Sequence, residues 1–248
     1  MSKRILLLNP IISNVFDNFD EQYLRARASQ GFDVTVESLK YGTESIESYY
    51  DDALVSPFVI ERVLDAERRG FAAVIVSCFM DPGVHAAREV AHIPVIGPGE
   101  ASMLTALMLG DSFSILDVGE QRFKRYSAPR NVRELGLDVR FRSTWGTGVA
   151  VTDIPSNDDA VANKLIQIAK QLRDEDEPDV IIMGCTGLSV IAERMSQALD
   201  IPVIDASIAA LRWAEMLLSS GWLHSPKSYP KPPKKERRLP GDYCLFQR

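Results

Sequence analysis

An internal repeat limits this chain more than any other feature. The run Ile5 to Asn9 returns as Phe113 to Asp117, the run leading into Cys78 returns before Cys185, and Pro94-Val95-Ile96 returns as Pro202-Val203-Ile204. Each pair is separated by about 107 or 108 positions. A register held over three anchors predicts two similar lobes. Apolar runs of four to six residues alternate with longer amphipathic stretches, as in α/β units wound on a mostly parallel sheet. The expected fold is therefore α/β, with two lobes related by a pseudo-twofold. Each lobe has a mostly parallel sheet flanked by helices, and the active site is expected in the cleft between them.

The pattern predicts strands over residues 3–9, 33–37, 72–77, 94–96, 112–117, 138–142, 179–183 and 202–204. Helices are predicted over 20–29, 58–69, 82–90, 100–109, 120–126, 158–173, 188–199 and 207–219. Val161, Leu165, Ile168 and Leu172 keep to one helical face at steps of three and four. Lobe one is assigned to residues 1–100 plus 206–222, and lobe two to 101–205. Residues 223–248 form a basic, Pro-rich arm in which Pro226, Pro230, Pro232, Pro233 and Pro240 rule out a continuous helix. Tyr243, Leu245 and Phe246 are candidates to pack it.

A chain of 248 residues can bury a large core. Its net charge of −6 opposes general nucleic-acid binding, which needs surplus Lys and Arg. The arm carries the opposite sign, yet it lacks aromatic interleaving for bases and an amphipathic helix for membranes. It reads as a solvated segment or a subunit contact in a homo-oligomer. No apolar run reaches the length of a membrane span, and Met1 to Arg4 lead straight into a strand rather than a secretory signal. Three cysteines make no disulfide framework. Reduced thiols and a cytoplasmic location are the expectation.

Cys78 and Cys185 both fall just past the carboxyl ends of predicted strands, where open α/β sheets bind ligands. Facing lobes would set one thiol on each side of a small molecule. That geometry suits inversion of a carbon next to a carbonyl, with one thiolate taking the proton and the other thiol returning one to the opposite face. Asp81-Pro82 and Thr186-Gly187 read as helix starts that would lower the thiol pKa values and hold an oxyanion. Either cysteine alone reads more readily as a small buried hydrophobe than as a catalytic thiol; their matched placement favours a joint role. Cys244 has no counterpart in the repeat and reads as incidental.

Other signals are weaker. Gly97-Pro98-Gly99 has Ser102 where a dinucleotide fingerprint needs its third glycine. His85, His92 and His224 lack metal-ligand spacing, so no metal is expected. Ser77 and Ser189 have no nucleophile-elbow setting. Glu100 reads as a first-turn carboxylate or a side chain aimed at the cleft.

Cys78-Phe79-Met80-Asp81-Pro82-Gly83, followed by Ala86 to Val90 and Pro94 to Gly97, together with Gly184-Cys185-Thr186-Gly187, resembles the aspartate/glutamate/hydantoin racemase superfamily. The resemblance covers residues 1 to about 222 and is strongest to the hydantoin and allantoin racemase branch. It implies Cys78 and Cys185 as the acid/base pair, no cofactor, and a small-molecule substrate, a 5-substituted hydantoin or allantoin. Asn9, Ile12, Ser13, Ser77, Phe79, Asp117, Val118, Thr186 and Gly187 are the corresponding substrate-binding candidates. This chain has Ile11-Ile12-Ser13 where the branch carries Asn-Thr, and Asp117 to Glu120 where relatives have a Thr-rich turn. Other readings are a maleate-type cis-trans isomerase or another amino-acid racemase on the same scaffold, and a metabolite-binding regulatory protein.

Overall fold

The computed structural model describes residues 2–118, 124–125, 128–149 and 159–236. The chain divides into two compact units. The first runs from the N-terminus to Val76 and takes in Pro82–Ile96 and the chain from Trp213 onward; the second comprises Ser77–Asp81 and Gly97–Arg212.

The first unit is built on strands β1 (Lys3–Asn9), β2 (Phe32–Ser38), β3 (Ala73–Val76) and β4 (Val95–Ile96), all parallel, in the order β2-β1-β3-β4. Helices α1 (Asp17–Arg25), α2 (Tyr49–Arg68) and α3 (Val84–Val90) connect them. The last five residues of β1 and all four of β3 are buried, as expected for strands covered on both faces. Val55, Val59, Val63 and Ala66 of α2 supply the apolar stripe that packs against Leu6, Leu8, Val74 and Val76.

The second unit has helices α4 (Pro98–Leu109), α5 (Arg130–Glu134), α6 (Asp159–Asp176), α7 (Ala192–Leu199) and the start of α8 (Ala206–Ser220). Its strands are β5 (Phe113–Asp117), β6 (Lys124–Arg125), β7 (Phe141–Gly146), β8 (Val180–Met183) and β9 (Val203–Ile204). They lie in the order β6-β7-β5-β8-β9, parallel except for β6, which pairs antiparallel with β7. Leu165, Ile168, Ala169 and Leu172 of α6 pack with Leu116, Trp145, Ile181 and Met183.

The repeat extends to the hydrogen-bond register. The pairs Ile5–Ala73 and Val74–Val95 in the first sheet recur as Phe113–Val180 and Ile181–Val203 in the second. At the strand ends, the Leu39 amide donates to the Asn9 carbonyl as the Thr147 amide donates to that of Asp117. Asn9 and Asp117 thus hold equivalent positions.

Several sequence boundaries move. Helix α2 starts at Tyr49 rather than residue 58. Ser48 caps it by accepting from the Asp51 amide, and Pro57 is carried inside it. The strand expected over 138–142 forms at Phe141–Gly146, because Leu137–Arg140 turns back on itself before it begins. Helix 188–199 is divided into a 3-10 turn, Thr186–Ile191, and α7. The helix expected over 120–126 is overturned at Lys124 and Arg125, which form β6. Its other residues lie outside the described residues, as do Gly119, Asp158, Tyr243, Cys244, Leu245 and Phe246.

Among the described residues no helix is long and apolar enough to cross a membrane. The start of the C-terminal arm packs on the first unit. His224 Nε2 accepts from the Val95 amide at 2.9 Å, and Tyr229 lies edge-on to both His224 and His85. The Tyr229 hydroxyl accepts from the buried Arg88, whose Nε donates to the Val95 carbonyl. His92 pairs with Glu67.

Candidate active site

Cys78 follows β3 in the chain, yet its loop Ser77–Asp81 belongs to the second unit, together with Asp117, Val118, Cys185, Thr186 and Gly187. That unit therefore holds both cysteines. Thr186 Oγ1 donates to the Ser77 carbonyl at 3.4 Å, so the residue after one cysteine is bonded to the residue before the other. Neither thiol is in a disulfide, and both are half-buried.

Asp81 fastens the Cys78 loop. It adopts a left-handed backbone, φ 54°, and its carboxylate accepts from the Gly99 amide at 2.9 Å and the Glu100 amide at 2.8 Å, the first turn of α4. A charged acceptor there satisfies amides that the helix itself leaves unbonded. The approach is too close for side chains on the glycines: a Cβ on Gly97 would lie 2.3 Å from Asp81 Cγ, and one on Gly99 would lie 2.2 Å from the Phe79 carbonyl oxygen. Asn131 Nδ2 holds that same carbonyl at 3.0 Å. Phe79 itself is buried.

In the second repeat, Cys185 follows β8 and packs, with Val118, against the core of the second unit. Gly184 lets Asp117 lie against this strand end, since a Cβ on Gly184 would meet Asp117 Cβ and Cγ at 3.0 Å and Ile115 Cγ2 at 2.8 Å. The Asp117 carboxylate accepts from the Val118 amide at 2.8 Å.

The electrostatics differ from the sequence expectation. Cys78 is pushed well above an ordinary thiol, first by burial and then by the charges of Asp81, Cys185 and Asp117, against which the Met80 amide donates to its sulfur. The helix start expected at Asp81-Pro82 is not formed. Helix α3 begins at Val84 behind a left-handed Gly83, and Asp81 adds negative charge near the thiol while capping a different helix. The segment after Cys185 opens as a 3-10 turn.

Asn9, Ile12 and Ser13 belong to the first unit. Asn9 is buried, and its amide donates to Asp17 at 3.0 Å and to Asp20 at 3.2 Å; Ser38 donates to Asp17 and to the Ser13 carbonyl. Ile12 is exposed. Sequence reasoning missed Asp81 as the cap of α4 and Asn131 as the anchor of Phe79. Only the clustered glycines at Gly97 and Gly99 signalled a close approach there.

Two register-matched, mostly parallel sheets, with a cysteine just past the strand of each repeat, β3 or β8, that pairs with the repeat's first strand, define a class of α/β proteins with strand-end thiols. The Asp/Glu/Hydantoin racemase family model matches residues 5–214, and the chain belongs to that family. It is 34% identical over 234 residues to a hydantoin racemase from Pseudomonas sp. (strain NS671), covering 94% of this chain and 93% of that one. The allantoin racemase from Klebsiella pneumoniae superposes with a TM-score of 0.85 at 28% identity, covering 98% of both chains. An unliganded arylmalonate decarboxylase shares the fold at a TM-score of 0.60 and 17% identity over 89% of this chain and 94% of that one.

Proposed function

We propose that this protein is a cytoplasmic, cofactor-independent racemase that inverts the carbon next to a carbonyl in a 5-substituted hydantoin or allantoin, using Cys78 and Cys185 as opposed proton carriers. The observation that carries the reading is the bond from Thr186 to the Ser77 carbonyl, which joins the two cysteine loops within one compact unit. The names of the relatives supply the substrate class.

The reaction needs one thiolate and one thiol at a time. Negative charge on Cys185 opposes ionisation of Cys78, so the pair resists losing both protons. Burial favours the protonated form of Cys78. In the first half-reaction Cys185 as thiolate removes the α proton, and the electron pair moves to the carbonyl oxygen. Cys78 then delivers its proton to the opposite face, becoming the thiolate as Cys185 becomes the thiol. The reverse direction exchanges the roles. The relay requires Asp81 and Asn131 to hold the Cys78 loop, because proton transfer falls off steeply as the donor leaves hydrogen-bond reach.

The test is incubation of an enantiopure 5-substituted hydantoin or allantoin in heavy water. The expected result is loss of rotation with one deuteron gained at the chiral carbon. Retained rotation across a panel of both substrate types overturns the proposal, and a trapped covalent cysteine adduct would point to addition chemistry instead.

A further inference from the structure

Three large apolar side chains of the second unit stand in solvent around one ion pair. Met108 and Leu109 end helix α4 with 84% and 53% of their surface exposed, and Val139 keeps 90%. Arg140, the neighbour of Val139, reaches to Asp111, two residues beyond Leu109. Its Nη1 donates to the Asp111 carboxylate at 3.0 Å and to the Asp111 backbone carbonyl at 3.1 Å.

Local structure does not call for apolar residues at these positions. The Arg140 amide donates to the Leu137 carbonyl, so Asp138 and Val139 form the tip of a tight turn, a place that favours Gly, Asn, Asp and Ser over a β-branched hydrophobe. The end of α4 is set by Gly110, where a Cβ would lie 2.4 Å from Asp179 Cβ, and not by the two side chains before it. Single exposed apolar residues are ordinary on a protein surface. Three of them around a mixed-sign pair have the make-up of an interface, an apolar core with a polar rim.

We propose that this patch is a twofold contact between two copies of the chain. Such a contact sets a surface against itself, so each charge must find its opposite within the same patch. Arg140 and Asp111 meet that condition, because across the axis the Arg140 of one protomer faces the Asp111 of its partner. Both have capacity for the second bond: Nη1 makes both bonds to Asp111, and the Asp111 side chain is 93% exposed. Exposed Asp138 and Arg142 add one more charge of each sign on either side of Arg140. The chain carries a net charge of −6, so two copies repel over most of their surfaces, and approach is least opposed where the signs balance. A strongly charged partner would instead require a patch of one sign. The contact does not depend on the racemase reading.

The test is the mass of the full chain in solution, measured by sedimentation velocity across the micromolar range. The samples are the unaltered protein, Arg140→Asp, Asp111→Arg and an equal mixture of these two variants. The expected result is an even number of copies for the unaltered protein and half that number for either variant alone. The dissociation constant of the pair should rise roughly a hundredfold or more in each, because like charges then face each other across the axis. Mixing the variants should restore association, since each altered position meets an opposite charge on the other copy. Val139→Ser leaves the charges in place and should weaken association about tenfold through the lost apolar contact. Circular dichroism checks that each variant is folded. A monomeric unaltered protein overturns the proposal and leaves the patch to another occupant. Single charge variants that keep the full mass, or a mixture that stays dissociated, overturn it as well.

Discussion

Replacing Asp81 tests how the Cys78 loop is held. Its carboxylate receives two amides of the first turn of α4, and its backbone sits at φ 54°, a region that residues other than Gly, Asn and Asp adopt poorly. Asp81→Ala removes both bonds, a loss of about 1 to 2 kcal/mol for a deleted cap, and places alanine in the left-handed region at a further cost of roughly 1 kcal/mol. The total, about 2 to 3 kcal/mol, corresponds to a melting temperature lower by about 5 to 10 °C for a chain of this length. Asp81→Asn keeps one acceptor and a residue suited to that backbone, so it should lose only about 2 to 4 °C. The two variants also separate charge from structure. The Asp81 charge ranks below burial among the causes that raise Cys78, so Asp81→Asn should speed alkylation of Cys78 at a fixed pH near 8 by several-fold and still leave it slower than an exposed thiol. Differential scanning calorimetry and pH-resolved iodoacetamide kinetics read both effects. An Asp81→Ala protein melting within 1 °C of the unaltered protein, by a criterion set well inside the roughly 5 °C expected, refutes the fastening argument. A Cys78 as reactive as an exposed thiol refutes the electrostatic one.

Further outcomes follow from the same geometry. Gly99→Ala should destabilise the protein by about 1 to 3 kcal/mol or more, because its Cβ would press on the backbone oxygen of Phe79; urea melts check it. Glu37 is held below the usual carboxylate range, chiefly by its bond from Arg69 and also by Arg62. Its contribution is therefore present above the carboxylate pKa of the unfolded chain and is lost as pH falls through the lower folded value. Glu37→Gln should cost about 0.5 to 1 kcal/mol at pH 7, with the two unfolding curves converging as the pH is taken down through the acid range. Tyr229→Phe removes an acceptor from the buried Arg88, and a loss of roughly 1 to 2 kcal/mol is expected in thermal melts.

The repeat made the two matched α/β units legible in the sequence, because a parallel strand buried on both faces leaves a continuous apolar run, and two such runs at fixed spacing imply matched registers; the order of the strands was not legible. Strand β7 was harder. Arg142, Ser143 and Thr144 interrupt its apolar run, and the place of Ser143 in a strand rests on a tertiary partner: Ser143 and Trp145 both donate to Asp176 at 2.6 Å. Helix α2 runs through Pro57 to start at Tyr49, ahead of the expected residue 58, because the buried series Val55, Val59, Val63 and Ala66 outweighs one missing amide bond. At the site, the cysteine motifs were readable from spacing alone. The cap that Asp81 provides was not, since it joins residues 18 and 19 positions apart through a left-handed turn that no local pattern encodes. The same turn misdirected the expectation of a lowered Cys78 pKa. Sequence placed a helix start beside the thiol, while the fold turned the carboxylate toward α4 and left burial to dominate.

The proposed racemase presents one cysteine to each face of the substrate. It is tested most directly by the single variants Cys78→Ser and Cys185→Ser, assayed for loss of rotation and for deuterium gain on each hand of an enantiopure 5-substituted hydantoin in heavy water. Either replacement should lower racemisation by about a thousandfold or more, with both proteins still folded by circular dichroism. A single variant that racemises at close to the original rate would contradict it.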